Sequence, residues 1–390
     1  MSRAVGSGLA AFLVGTLAVW LSVAPFDGRL SAIVRMSQGD PIAQVAGTAD
    51  PGWVWVGSHY DGIYFYAIAL DPVATGQAHS LIDQAAYRYG HPGYGWIAGA
   101  LALFDPRQLP LMLLVISLAS FFVAGFAAGR VAELLGYSGW LGLVVALNPG
   151  LVFAVVNDTS EAFGAALLLA TLWAWLSGRY RLAGFLIIGL CFAKEPLLLV
   201  PLGLAIWEAI TLLRGADRRT WFGRTAVLVP GPALYAVWVL WLHSVFGVWS
   251  FAEGVALSLP VPFVGWIETF RMSASMAAGG FDAMQIGEGT LPIQVVSLVL
   301  IVLGLFRAAR LRSPIDMAYL LVGLLTCYLT WWQVLYPKDL IRSLAFIWVL
   351  LPFVLLAPRV LPPTRLAAFH RGGPREDSVN SPAEEPEAAF

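Results

Sequence analysis

The stretch LPLMLLVISLASFFVAGFAAG, residues 109–129, runs for 21 residues without a charged side chain. A helix of about 20 apolar residues is long enough to cross a hydrocarbon layer of roughly 30 Å. Strands are a poor alternative, because a lipid-facing strand alternates in polarity and this run is continuous. The whole chain has the same character, since 59% of its 390 residues are hydrophobic, 12% are charged and the mean hydropathy is +0.75. These values exceed those of ordinary globular domains and predict an all-helical polytopic membrane protein.

Arginine clusters separate the apolar runs, and the positive-inside rule places such clusters in the cytoplasm. About ten spans with both termini inside satisfy every cluster. The predicted spans are residues 8–25, 109–129, 137–156, 162–178, 182–193, 196–213, 225–246, 291–306, 315–332 and 343–358. The apolar segment 91–104 is short for a span and is predicted to be interfacial or re-entrant, although an arrangement of eleven spans stays open.

Residues 1–358 are predicted to form one transmembrane domain, and the Pro-, Glu- and Ser-rich residues 359–390 a disordered cytoplasmic tail. Most polar groups on the predicted outer face fall in the first external loop, residues 26–108. Loops of this length are usually functional or disordered, and this one is too aromatic for disorder. The Ala- and Arg-rich composition without other long loops favours a bacterial inner membrane, with the functional site on the extracytoplasmic face.

Within the first loop, the segment SHYDGIYFYAIA, residues 58–69, puts Asp61 at the head of an aromatic, alanine-rich helical segment. A carboxylate in the first turn of a helix is favoured by the helix dipole, so Asp61 is either a helix cap or a functional group. The functional alternative is a general base, because a poorly solvated carboxylate can be tuned to take a proton. Spacing alone leaves both alternatives open.

Three segments in order resemble the GT-C glycosyltransferases, and among them the mannosyltransferase branch similar to PIG-V. They are the Asp61 segment, the aromatic stretch YRYGHPGYGW at residues 87–96, and NDTSEAF at residues 157–163. The resemblance covers roughly residues 8–180. Two departures are Tyr60, where the family usually has Trp, and residues 91–94, where it has Pro-Leu-Tyr-Pro.

The resemblance implies inverting transfer of a sugar, mannose in this branch, from a polyprenyl-phosphate-sugar donor. The acceptor would be a glycan, a lipid or a protein at the outer face, and Asp61 would be the base that deprotonates its hydroxyl. The candidate substrate- and donor-binding residues are His59, Tyr64, Arg88, His91, Asp158, Glu161, Lys194, Glu195, Lys338 and Arg342.

A lipid-phosphate donor needs cations at the membrane surface to hold its leaving phosphate. Lys194 lies between two apolar runs, and Lys338 and Arg342 are four residues apart, which places both cations on one face of a helix. The alternative is that these side chains snorkel at span ends, with Lys194 paired to Glu195 and Lys338 to its neighbour. Positive charge on the outer face runs against the topological bias, which favours phosphate contact for Lys338 and Arg342.

Asp158 and Glu161 are three residues apart at the start of a predicted span. They are either an N-terminal cap, with Asp158 or Thr159 capping, or a pair that orients the acceptor or binds a divalent cation. No cofactor is otherwise indicated.

The sequence has no histidine or cysteine spacing typical of a metal site, no nucleotide-binding fingerprint and no nucleic-acid signature. The partners that the resemblance implies are the lipid-linked donor, the acceptor and membrane lipid. Two other function classes fit the topology, namely a transporter or lipid flippase and a non-catalytic assembly subunit. The predicted spans show few interior charges and no internal repeat, which disfavours a transporter.

Overall fold

The structure is a computed structural model that describes residues 2–57, 59–253, 261–277 and 290–356. Within these ranges every regular element is a helix and no strand occurs. The predicted all-helical fold is therefore confirmed for this part of the chain. The predicted disordered tail, residues 359–390, lies outside the described residues.

Short helices make up the first external loop, between two long ones. The first ten helices are α1 (Arg3–Val23), α2 (Ser31–Val34), α3 (Ala43–Ala49), α4 (Gly62–Leu70), α5 (Ala85–Arg88), α6 (Gly93–Leu101), α7 (Leu109–Leu134), α8 (Leu141–Ala146), α9 (Pro149–Val156) and α10 (Glu161–Leu176). Single 3₁₀ turns occur at Ala24–Phe26, Ala78–Leu81 and Glu195–Leu198.

The second half of the chain alternates long apolar helices with short ones. Its helices are α11 (Tyr180–Ala193), α12 (Leu199–Leu213), α13 (Arg218–Ala226), α14 (Pro230–Phe246), α15 (Ser250–Glu253), α16 (Val264–Ala277), α17 (Thr290–Ala308), α18 (Pro314–Thr326), α19 (Trp331–Leu335), α20 (Pro337–Ser343) and α21 (Ala345–Leu356).

Several helices are long and apolar enough to cross a membrane. Among the described residues there are five such segments: Arg3–Phe26, Leu109–Leu134, Glu195–Leu213, Arg218–Phe246 and Thr290–Ala308. The pair α20 and α21 would make a sixth span that bends by 55°, and α10, α11 and α18 are apolar but shorter. The chain thus has the helices of a multi-pass membrane protein, and the count of about ten spans stays a prediction.

The prediction of one continuous helix over residues 137–156 is wrong. The helix breaks between α8 and α9, because Pro149 lacks the backbone N–H that a continuing helix requires. Asn148 supports the break by accepting a hydrogen bond from the backbone N–H of Gly150 at 2.8 Å. Its amide also donates to the carbonyl of Ala345 at 2.8 Å, which joins the break to the start of α21.

The predicted span over residues 315–332 also differs from the structure. Helix α18 ends at Thr326, and α19 begins afresh because Thr330 and Gln333 form a capping box at its first turn. The segment predicted as an external connection, residues 333–342, is mostly helical, because Pro337 starts α20. The segment between the two predicted spans, whose conformation the sequence left open, therefore contains α20.

The segment 91–104 forms α6, a helix of 9 residues. At a rise of about 1.5 Å per residue, such a helix is only about 14 Å long, roughly half the thickness of a hydrocarbon layer. It therefore supplies no eleventh span.

Helix α7 is the central helix of the N-terminal half and packs against α1, α8 and α10. Glycines allow the close approach, since a β-carbon on Gly142 of α8 would overlap the carbonyl oxygen of Gly125 on α7. Membrane helices commonly associate through small residues of this kind. Because α1 and α10 both pack on α7, this packing fixes the helix before the first loop relative to the helix that carries Glu161.

Candidate functional site

Asp61 precedes the first residue of α4, but its side chain makes no capping hydrogen bond there. Its carboxylate instead contacts the Arg342 guanidinium at 2.7 Å and the Arg88 guanidinium at 3.4 Å. The reading of Asp61 as a helix cap is therefore wrong. The contact with Arg342 joins the first loop to α20, which is far away in sequence.

The charge state of Asp61 follows from these two contacts. Burial alone would raise the pKa of the Asp61 carboxyl, but Arg342 and Arg88 outweigh burial and hold this pKa well below its usual range. Asp61 is therefore ionised at every physiological pH. Its side chain keeps 17% exposure, so a polar molecule can reach it.

Arg88 is fixed by three neighbours. Its guanidinium lies 3.6 Å from the ring centroid of Tyr64 and also pairs with Asp83 at 3.6 Å. The Asp83 side chain is 57% exposed, so this second ion pair contributes little to stability. Tyr64 thus supports the arginine, which in turn contacts Asp61.

Glu161 is the second carboxylate of the site, and its side chain is only 3% exposed. One of its oxygens, Oε1, lies 3.0 Å from the Lys194 ammonium and 3.4 Å from Nε of Arg342. Arg342 therefore bridges Asp61 and Glu161. The expected pairing of Lys194 with its neighbour Glu195 does not form.

Glu195 pairs instead with His91, with 2.6 Å between Oε1 and Nδ1. His91 is buried just before α6, where its ring packs edge-on against Phe65 and Tyr87. Tyr87 links this pair to the rest of the site, because its ring centroid lies 5.5 Å from that of His91 and 5.4 Å from the Arg88 guanidinium. The structure therefore brings together eight predicted residues, Asp61, Tyr64, Arg88, His91, Glu161, Lys194, Glu195 and Arg342.

A cavity of about 400 Å³ opens beside this cluster. Its charged end is formed by Glu161, Lys194, Glu195 and Arg342. Its apolar walls include Leu198, Leu199, Val239, Phe251, Leu325 and Phe346. A cavity with one charged end and hydrocarbon walls is suited to an amphiphile whose head group bears charge.

Lys338 does not line this cavity. It lies on α20 with Arg342, and its ammonium lies 5.3 Å from the ring centroid of Tyr60. The alternative pairing of Lys338 with its neighbour Asp339 is absent, and Asp339 instead accepts a hydrogen bond from the Tyr60 hydroxyl at 2.7 Å. Arg342 lies 5.1 Å from the same ring, so Tyr60, which the candidate set missed, braces α20 against the first loop.

His59 lies at the edge of the cluster. Its Nδ1 contacts Asp40 at 2.6 Å, its side chain is 45% exposed, and its ring lies 6.4 Å from that of Tyr64. The structure therefore places His59 two side chains away from Asp61, and outside the cavity.

Asp158 is fully buried and does not cap α10; the capping position belongs to Ser160, whose side chain makes no capping hydrogen bond. The Asp158 carboxyl lies 2.9 Å from the Tyr94 hydroxyl, whereas the Glu161 carboxylate contacts Lys194 and Arg342. The predicted pair therefore has separate partners. Among the described residues, no group of three or more His, Cys, Asp or Glu side chains could hold a metal ion.

A proton on Asp158 fits its surroundings. The Tyr94 hydroxyl has one proton, yet it lies 2.8 Å from the carbonyl of Leu113 and 2.9 Å from Asp158. If the Tyr94 hydroxyl donates its proton to the Leu113 carbonyl, a hydrogen bond between Tyr94 and Asp158 requires a proton on the Asp158 carboxyl. Burial correspondingly raises the pKa of Asp158 to about 7.

Asp158→Asn is expected to change how stability depends on pH. The pKa of Asp158 lies above its unfolded value of 3.8, so the folded protein keeps a proton that the unfolded chain releases. This group therefore makes stability fall as pH rises from about 4 to about 7. In detergent, the thermal midpoint of the wild type should lose more over this range than that of the variant. Equal losses would show that Asp158 is ionised in the folded protein.

Comparison of the sequence with protein-family models and with curated proteins finds no match.

Proposed function

We propose that the protein is a membrane glycosyltransferase that moves a sugar from a polyprenyl-phosphate donor to an acceptor hydroxyl, with inversion at the anomeric carbon. The observation that carries the proposal is the position of Arg342, which contacts Asp61 at 2.7 Å and also lines the cavity with apolar walls. A candidate base and a candidate phosphate site thus share one side chain. The resemblance of three segments to GT-C enzymes agrees with this assignment.

The cavity supports a lipid-phosphate donor. Lys194 and Arg342 at its charged end can contact phosphate oxygens, and Leu198, Leu199 and Phe346 can contact the first part of a polyprenyl chain. Donors soluble in water, such as nucleotide sugars, would leave these apolar walls without a partner. The donor therefore enters with its tail among the apolar residues and its phosphate at the cations.

Asp61 is in the protonation state that a base requires. The acceptor oxygen attacks the anomeric carbon, its proton passes to the Asp61 carboxylate, and the bond from the anomeric carbon to the phosphate oxygen breaks. Two arginines make Asp61 a weak base. A weak base suffices, because an oxocarbenium-like transition state makes the attacking hydroxyl acidic as the new bond forms. The leaving phosphate keeps its negative charge and remains with Lys194 and Arg342.

The same proposal includes three further assignments. The sugar is mannose, the acceptor is a glycan, a lipid or a protein, and the reaction takes place at the extracytoplasmic face of a bacterial inner membrane. The assignment of the face rests on the arginine clusters, which leave the segments that carry Asp61, Lys194 and Arg342 outside.

A lipid flippase is the second candidate, and one observation favours it. Two helices are interrupted beside the site, at Asn148 between α8 and α9 and by the 55° bend between α20 and α21. Interrupted helices near charged residues are typical of transporters. A flippase would bind the same lipid phosphate and return it to the opposite leaflet with its sugar intact.

Membranes that contain the protein, compared with membranes that lack it, separate these functions. Radiolabelled polyprenyl-phosphate mannose and labelled nucleotide sugars would be supplied as donors, and the label in acceptor and its anomeric configuration would be measured. We expect transfer from the lipid donor alone, with inversion. Movement of intact lipid donor between leaflets without transfer would favour the flippase, and neither activity would favour a non-catalytic subunit.

A further inference from the structure

Two cations of the cavity contact the same carboxylate oxygen. Oε1 of Glu161 lies 3.0 Å from Nζ of Lys194 and 3.4 Å from Nε of Arg342, and all three residues line the cavity. Their side chains are 3%, 12% and 17% exposed, so water screens these contacts weakly. Glu161 therefore occupies the position from which a ligand oxygen could contact both cations.

The charged end of the cavity is already neutral without a ligand. The cations Lys194 and Arg342 are matched there by the carboxylates of Glu161 and Glu195. An anion that entered beside these pairs would add an unmatched charge to a poorly hydrated site, which is strongly unfavourable. An anion that took the place of one carboxylate would leave both cations paired, and the unmatched charge would then lie on the displaced carboxylate.

We propose that Glu161 occupies the phosphate position of the cavity while no ligand is bound, and that the phosphate of a polyprenyl phosphate displaces its carboxylate from Lys194 and Arg342. The exchange keeps the number of charge pairs on the two cations, so neither cation has to become unpaired. Arg and Lys are common ligands of phosphate and carboxylate alike, which makes one group a plausible stand-in for the other. The lipid part of this proposal rests on the proposed function.

Glu161 is the carboxylate of the site best placed for this exchange. Its two cations both line the cavity, whereas Asp61 does not line it and Glu195 is held by His91 at 2.6 Å. Glu161 is also the first residue of α10, a helix of 16 residues. The partial positive charge of that helix terminus continues to favour the carboxylate after the cations have moved to phosphate.

The test measures binding of polyprenyl phosphate, without a sugar, to the purified full-length protein in detergent micelles by tryptophan fluorescence. Glu161→Gln keeps the shape and removes the competing charge, so it should tighten binding about tenfold, the effect of roughly 1.4 kcal/mol. Glu161→Asp retracts the carboxylate by one methylene and should give a smaller gain. Lys194→Ala in the Glu161→Gln background should remove the gain, because the exchange needs that cation.

The matched control is Glu253→Gln, which removes a carboxylate that accepts a hydrogen bond from the backbone N–H of Tyr87 at 3.1 Å and does not line the cavity. Its affinity should equal that of the wild type. A similar gain in affinity for Glu253→Gln would indicate a general effect of charge and would contradict displacement of Glu161. Weaker or unchanged binding by both Glu161 variants, with wild-type thermal midpoints, would overturn the proposal and make Glu161 a residue that positions the cations.

Inorganic phosphate separates the two sources of the head group. We expect the lipid phosphate to bind far more tightly than inorganic phosphate to the wild type and to Glu161→Gln alike, because only the lipid contacts the apolar walls. Equal affinities of the two ligands would keep the exchange and overturn the lipid as its ligand. No sugar is transferred in this binding assay, so its result can be interpreted even if the protein has no transferase activity.

Discussion

Asp61→Asn is expected to lower the rate of sugar transfer by about 10²- to 10⁴-fold, the usual contribution of a positioned general base. Asparagine has nearly the shape of aspartate but cannot accept the hydroxyl proton. The change leaves Lys194 and the apolar walls of the cavity in place, so the donor should still bind. The measurement is single-turnover transfer from a radiolabelled polyprenyl-phosphate sugar in membranes with matched amounts of protein.

The matched control for this variant is Asp83→Asn. Asp83 pairs with the same arginine, Arg88, at 3.6 Å, but it is 57% exposed, whereas Asp61 is 17% exposed. Its transfer rate should stay within about threefold of the wild-type rate, since exposed ion pairs contribute little. Transfer by Asp61→Asn at the wild-type rate would end the assignment of Asp61 as the base.

The helical character of the chain and most members of the site follow from the sequence, because both depend on local signals. Long uncharged runs predict membrane helices, and charged residues at their ends stand out against so apolar a background. Asp61, Glu161, Lys194 and Arg342 were therefore all identifiable before the structure. The four-residue spacing of Lys338 and Arg342 would put both cations on one face of a helix, and the segment is helical as α20.

The pairing of these residues was not predictable, because it depends on which helices come together. The only partners that the sequence suggested for the cations were neighbours, such as Glu195 for Lys194, whereas the observed partner of Lys194 is Glu161. Tyr60 and Asp339 form a hydrogen bond across 279 positions, and no local pattern indicates it. Helix breaks were missed for a related reason, since a hydropathy window averages over a single Pro149.

Arg342→Ala is expected to destabilise the protein and to abolish transfer. Removing one partner of a buried ion pair commonly costs about 3–5 kcal/mol, because the remaining charge loses its compensation. Here the change affects two carboxylates, Asp61 at 2.7 Å and Glu161 at 3.4 Å. Arg88 and Lys194 remain as partial partners, so the loss should lie near the lower end of that range. The measurement is the thermal midpoint in detergent. The control is Arg107→Ala, which removes an exposed arginine that donates to the carbonyl of Ala49.

A double-mutant cycle separates lost packing from an uncompensated charge. If the carboxylate of Asp61 is the origin of the destabilisation, Asp61→Asn should recover part of the thermal midpoint in the Arg342→Ala background, with a coupling of about 0.5–3 kcal/mol. If Arg342 acts through packing on Tyr60 alone, the effects of the two changes on the thermal midpoint should add.

Arg342→Lys gives a further distinction, because lysine keeps the charge but lacks the forked guanidinium that reaches both carboxylates. It should restore much of the stability and little of the transfer, since one ammonium cannot hold Asp61 and a donor phosphate in the geometry that Arg342 provides.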